Sequence, residues 1–171
     1  MFEHILVAID PSASSHCAFD AALNLAQTLA AQLTLVHALD RADPDGPRQP
    51  YIPTSRYSAE LNNILQTDYE YRWEKFIRYY DSLLKQKQAA AEAVGVRVSY
   101  LQPCGCPGPA LCSTAKNSQA DLIVAGSHSR DGLSEVFLYR ASRYVMYHAP
   151  CPVLIVNPQA KLSMQLDHFE T

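Results

Sequence analysis

The chain has 171 residues and a net charge of −3, enough for one hydrophobic core and short for two. Its 48% apolar and 18% charged residues are ordinary for a globular domain, and the slight acidity gives no electrostatic basis for holding nucleic acid or an anionic membrane. No apolar run approaches the roughly 20 residues that a membrane span needs.

The opening MFEHILVAID runs straight into a strand pattern, without the basic start and apolar core of a signal peptide. The expected address is therefore the cytoplasm. The pattern places β1 at His4–Ile9, a near-continuous apolar run suited to a strand buried on both faces. Asp10-Pro11-Ser12 makes the turn, and Ser12 to Ser15 offer N-caps. Phe19, Ala22, Leu23, Ala26 and Leu29 then recur at helical spacing, and Leu33–Leu39 reads as β2. A β-α-β opening with short connections implies parallel strands and a right-handed crossover.

Arg41–Tyr57 changes character. Pro44, Pro47, Pro50, Pro53 and Gly46 exclude regular structure, and so long an insertion inside a domain is often functional or mobile. Ser58–Val94 is helical by spacing, with Leu65, Tyr69, Phe76, Tyr80, Leu83 and Val94 on an apolar face. Its length leaves room for a break near Thr67 or Asp68. The aromatic run through Tyr57, Tyr69, Tyr71, Trp73, Phe76, Tyr79 and Tyr80 is read as packing, not as a cofactor surface. Gly95 is the expected C-cap. A third strand follows at Val96–Leu101, then a helix with Pro109 in its first position, ending about Ser118. Leu122–Ala125 and Val153–Val156 complete five strands. The chain is read as one domain, residues 1–158, followed by a polar tail, 159–171.

Alternating strands and helices with apolar strands indicate an open parallel α/β sheet, Rossmann-like, with helices on both faces. Ligands in such sheets bind beyond the carboxyl ends of the strands, where the strand order reverses. Those ends are Asp10-Pro11-Ser12, Ala38-Leu39-Asp40 and Gly126 onward. A polar loop, Ser127, His128, Ser129 and Arg130, leads from the fourth strand into a helix, the setting in which α/β folds hold phosphates.

Several chemistries lack their residues. DPSASS stands where a dinucleotide fold needs G-x-G-x-x-G; no P-loop and no G-x-S-x-G elbow occurs. A receiver domain would need clustered acids after the first strand, of which only Asp10 is present. His37 and His128 could approach as acid and base, but no nucleophile accompanies them. Cys104, Cys106 and nearby Cys112 suggest a redox pair or part of a metal site. Their spacing fits no common zinc pattern, and five cysteines without an export signal do not make a disulfide framework. They are read as reduced thiols.

The segments ILVAID with Pro11 and Ser12, LVHALD, Gly105-x-Pro107, ADLIVAGSHSRDGL and YVMYHAPCPVLIV together resemble the universal stress protein family. The resemblance spans nearly the whole chain, apart from the Pro-rich insertion and the tail. It implies strand order 3-2-1-4-5 and a homodimer through the last strand, Pro152–Val156, an apolar edge that needs cover. It also implies a regulatory module in stress response, with an unknown protein partner and no required reaction.

The ATP-binding branch of that family carries Gly-x2-Gly-x9-Gly-Ser/Thr after the fourth strand. Here the four positions hold Gly126, Ser129, Tyr139 and Arg140, so three depart from the pattern. Tyr139 would crowd the space a glycine leaves for phosphate, whereas Arg140 supplies a bidentate phosphate donor. Asp10, Pro11, Ser12 and Ala38 match family positions around adenine and ribose. The implied nucleotide site is completed by Gly126, Ser127, His128, Ser129, Arg130, Tyr139, Arg140, Ala141 and Ser142. A kept nucleoside half beside an altered phosphate half favours AMP, ADP or a cyclic nucleotide over ATP, with Mg2+ only if a triphosphate binds. The alternatives are a non-binding dimeric interaction protein and, last, a weak ATPase. No catalytic residue or resident metal is assigned.

Overall fold

The computed structural model describes residues 1–50, 59–127 and 133–157, with the backbone alone for 133–140. Among these residues, five strands, β1 (His4–Ala8), β2 (Gln32–Val36), β3 (Val98–Leu101), β4 (Leu122–Gly126) and β5 (Val153–Val156), alternate with four helices. The helices are α1 (Ala13–Leu29), α2 (Ala59–Ala93), α3 (Pro107–Asn117) and α4 (Leu133–His148). All four strand pairings are parallel, in the order β3-β2-β1-β4-β5. The chain winds outward from β1 to β3 and then returns to β1's other side, so the order reverses between β1 and β4.

Strand register explains the apolar runs. Ile5 lies between Leu33 and Leu122, and Val7 between Leu35 and Val124. These residues share one core with Phe19, Ala22 and Ala26 of α1 and Leu84 and Ala91 of α2. Leu6, Val36 and Ile123 point to the opposite face, where they meet Leu111 and Ala115 of α3 and Val145 of α4. A strand covered on both sides must be apolar at successive positions, which is why β1 and β4 read as uninterrupted runs.

Ser12 caps α1, its side chain accepting from the Ser15 N–H at 3.1 Å. The helix ends on Ala30, left-handed at φ 55°; Gln119, beyond α3, also has φ 55°. Gly95, at φ 81°, follows α2 as expected. Residues 41–50 contain turns and neither helix nor strand.

Two expectations are corrected. Helix α2 is continuous through Thr67 and Asp68, across which Gln66 bonds Glu70 at 2.8 Å and Arg72 pairs with Asp68. Helix α3 begins at Pro107, not Pro109. Both prolines suit a first turn, but the earlier start seats Gly108 against α4. A Cβ at Gly108 would fall 2.7 Å from the Tyr144 Cβ, so only glycine allows that approach.

Candidate functional site

The carboxyl ends of β1, β2 and β4 open into a cleft of about 880 Å³, its mouth included. It lies at the reversal in strand order, where the two halves of the sheet diverge and leave a crevice. Asp10, Pro11, Ala38, Gly126, Ala141 and Ser142 all line it, so six residues expected from the sequence meet in one place.

The floor is the first turn. Asp10 Oδ1 accepts from the Ser12 N–H at 2.6 Å, and the Asp10 N–H donates to Ser15 Oγ at 2.9 Å. Ser15 Oγ lies 3.3 Å from the Ala8 carbonyl. These bonds fix the Asp10 carboxylate at the start of α1. Ser12 itself is 3% exposed and is not on the cleft wall; its hydroxyl caps the helix and lies 3.0 Å from Ser14 Oγ.

Gly126 has a packing reason to be glycine. A Cβ there would stand 2.7 Å from the backbone carbon of Ser14, too close to coexist. The first turn of α1 therefore presses on the end of β4, and both Ser14 and Gly126 face the cleft. The Ser127 N–H donates to the Val156 carbonyl at 2.8 Å, tying the chain beyond β4 to β5. His128, Ser129 and Arg130 lie outside the described residues. Tyr139 and Arg140 fall within α4, but their side chains lie outside the description too.

Two further wall residues are Tyr80, expected only as packing, and His37, weighed only as an acid or base. Tyr80 of α2 and His37, just past β2, stack with ring centroids 3.5 Å apart and planes 8° apart. The reading of the aromatic run as packing holds for buried Tyr69, but Tyr80 also lines the cleft. His37 Nδ1 is 2.8 Å from the Ile9 carbonyl. Burial drives the pKa of His37 below the ordinary imidazole value, partly offset by that hydrogen bond and by Asp10. His37 is therefore neutral near pH 7.

Asp43, Pro44 and Asp45, from the first part of the Pro-rich insertion, form another wall. Arg41 holds this part to α2, donating to Tyr69 Oη at 3.2 Å with its guanidinium 5.2 Å from the Trp73 ring centre. The described lining thus carries three carboxylates, a neutral imidazole and hydroxyls, and no lysine or arginine.

The cysteines are unbridged, with Cys104 and Cys106 exposed. A hydrogen bond to Asp40 pushes the Cys106 thiol up, and burial does the same for Cys112 and Cys151. Raised pKa values keep these groups as thiols, the less reactive form. Among the described residues, no group of three or more His, Cys, Asp or Glu is placed to hold a metal ion. Among them, too, no helix is long and apolar enough to cross a membrane.

The profile of the universal stress protein family matches residues 1–157. The chain belongs to the universal stress protein family. Universal stress protein YxiE of Bacillus subtilis is 33% identical over 157 residues, covering 92% of this chain and all of YxiE. The structure of UspA from Lactobacillus plantarum superposes with a TM-score of 0.67 at 24% identity, covering 91% of this chain and 97% of that one. A universal stress protein family member from Arabidopsis thaliana, solved with AMP bound, gives a TM-score of 0.57 at 18% identity over 95% of this chain and 97% of its own. At these identities the two structures speak for a shared fold, the five-stranded α/β sheet described above.

Proposed function

We propose that this universal stress protein is a regulatory module that binds an adenine nucleotide, AMP or ADP in preference to ATP, in the cleft at the reversal of its sheet. The observation that carries the reading is the wall itself. Asp10, Ala38 and Gly126 come from three strand ends and converge on one crevice, and the Arabidopsis relative of the same fold has AMP bound. Carboxylates and hydroxyls suit the amino and hydroxyl donors of a nucleoside. Three carboxylates with no cation among the described lining oppose a highly charged triphosphate. No reaction is required: a ligand that prefers one conformation shifts the population a partner meets.

The test is to purify the protein without added nucleotide, identify any released small molecule by mass spectrometry, and titrate AMP, ADP and ATP by calorimetry. AMP or ADP bound near one per chain, with ATP weaker, supports the reading. No binding of any of the three at millimolar concentration overturns it. The second reading, a dimeric interaction protein without a nucleotide, is favoured by one observation. Ser129, Tyr139 and Arg140 replace three of the four residues in the family's phosphate motif.

The homodimer belongs to the same proposal. β5 is a terminal strand of the sheet, and Leu154 on it is 38% exposed. An apolar edge strand of this kind invites pairing with a second copy.

A further inference from the structure

The hydrogen bonds around His37 fix more than its position. A carbonyl oxygen can only accept, so Nδ1, 2.8 Å from the Ile9 oxygen, carries the ring proton. In a neutral imidazole that leaves Nε2 as a bare acceptor. Nε2 is buried and, among the described residues, has no hydrogen-bond partner, although the ring borders the cleft. The residue is 7% exposed, and Tyr80 stacked on the ring's face holds it from turning out toward water. A buried acceptor without a donor carries a standing energetic cost, which a ligand supplying that donor would relieve.

We infer that His37 is a specificity-determining residue of the cleft, its Nε2 accepting a hydrogen bond from a neutral N–H or O–H group of the bound nucleotide. This rests on the nucleotide reading proposed above and adds to it a direction of selectivity. The site favours a ligand that presents a donor at this point and rejects one that presents an acceptor. Two sources share that chemistry, the exocyclic amino group of the base and the hydroxyls of the sugar. A base carrying oxygen in place of the amino group would set two acceptors against each other, so the choice between them is sharp. Discrimination of this kind exceeds what apolar contact alone gives, because the wrong ligand leaves a buried polar atom unpaired.

The experiment is a cycle of ligand and protein variants read by calorimetry. AMP, IMP, 2′-deoxy-AMP and 3′-deoxy-AMP are titrated into the wild-type protein and into His37→Phe, which keeps an aromatic ring against Tyr80 and removes Nε2. The expected result is that one analogue binds the wild type about tenfold more weakly than AMP, while His37→Phe does not distinguish the two. Loss with IMP assigns the donor to the base, and loss with a deoxy analogue assigns it to the sugar. Tight AMP binding with no analogue coupled to His37 overturns this inference and leaves the nucleotide reading standing. No binding of AMP or any other adenine nucleotide takes down both. Should His37→Phe fail to fold, nitrogen NMR of the labelled wild type decides. The Nε2 resonance must move on adding AMP, and an unmoved resonance in the AMP-saturated protein refutes the contact.

Discussion

Gly126 stands first in the family's phosphate motif, yet its described environment gives a different reason for its small size. The contact it avoids is with the backbone carbon of Ser14, 2.7 Å from where a Cβ would be. We predict that Gly126→Ala lowers stability by about 1–3 kcal/mol through forced overpacking, measured by chemical denaturation. Ser14→Ala should not rescue it, since it removes only Oγ and leaves the backbone carbon at 2.7 Å and Cβ at 2.8 Å. His37 gives a second prediction at this scale. Among the described residues, the charged or titratable groups that bear on it are Asp10 in the turn after β1, Tyr80 on α2, and Asp43 and Asp45 of the same cleft wall. The native pKa of His37 is depressed, so below about pH 6.5 the unfolded chain takes up a proton that the native ring resists. Stability should therefore fall as pH drops from about 7 to 5, and the fall should be smaller in His37→Phe. Equal pH dependence in both proteins would count against the buried neutral ring.

Among elements, α2 divides into two unequal parts. At 35 residues it is about 52 Å long, roughly three times the length of a five-residue strand. Its buried side chains run from Tyr69 to Ala91, while Ile64 is 59% exposed. Leu84→Ala should cost about 2–5 kcal/mol, whereas Ile64→Ala should stay within about 0.5 kcal/mol, both read from denaturant midpoints. Amide exchange should be faster over residues 59–68 than over 80–91. The strands were legible in sequence because a parallel sheet covered on both faces demands consecutive apolar residues. The strand-end cleft residues Asp10, Pro11, Ala38 and Gly126 were legible because the crevice of such a sheet lies where strands stop. Tyr80 and Asp43–Asp45 were not. Their places depend on the rotation of a long helix and on the path of a loop held by Arg41, and neither leaves a local spacing. His37 drew notice as an acid or base, but its role as a fixed acceptor depends on the Ile9 carbonyl, which no side-chain pattern reveals. The start of α3 was missed because Pro107 and Pro109 satisfy the same local rule, and the Gly108–Tyr144 contact between helices separates them.

At the scale of the whole molecule, β5 stands at the edge of the sheet with Leu154 exposed. If the edge pairs with a second copy, sedimentation should give a dimer at micromolar concentration, and Leu154→Asp should shift it toward monomer while the fold survives. A wild-type monomer would refute the proposed assembly. The cleft is built by the strand ends and helices of one chain, so nucleotide titration of the Leu154→Asp monomer separates assembly from ligand binding.

Ala30 closes α1 in a left-handed conformation that costs an L-residue about 1 kcal/mol and a glycine much less, and Gln119 adopts the same φ. Selection has therefore left stability unclaimed at two positions remote from the cleft. Ala30→Gly and Gln119→Gly offer an engineer a small reserve of thermal tolerance, enough to offset a costly substitution in the cleft and keep a damaged site open to study.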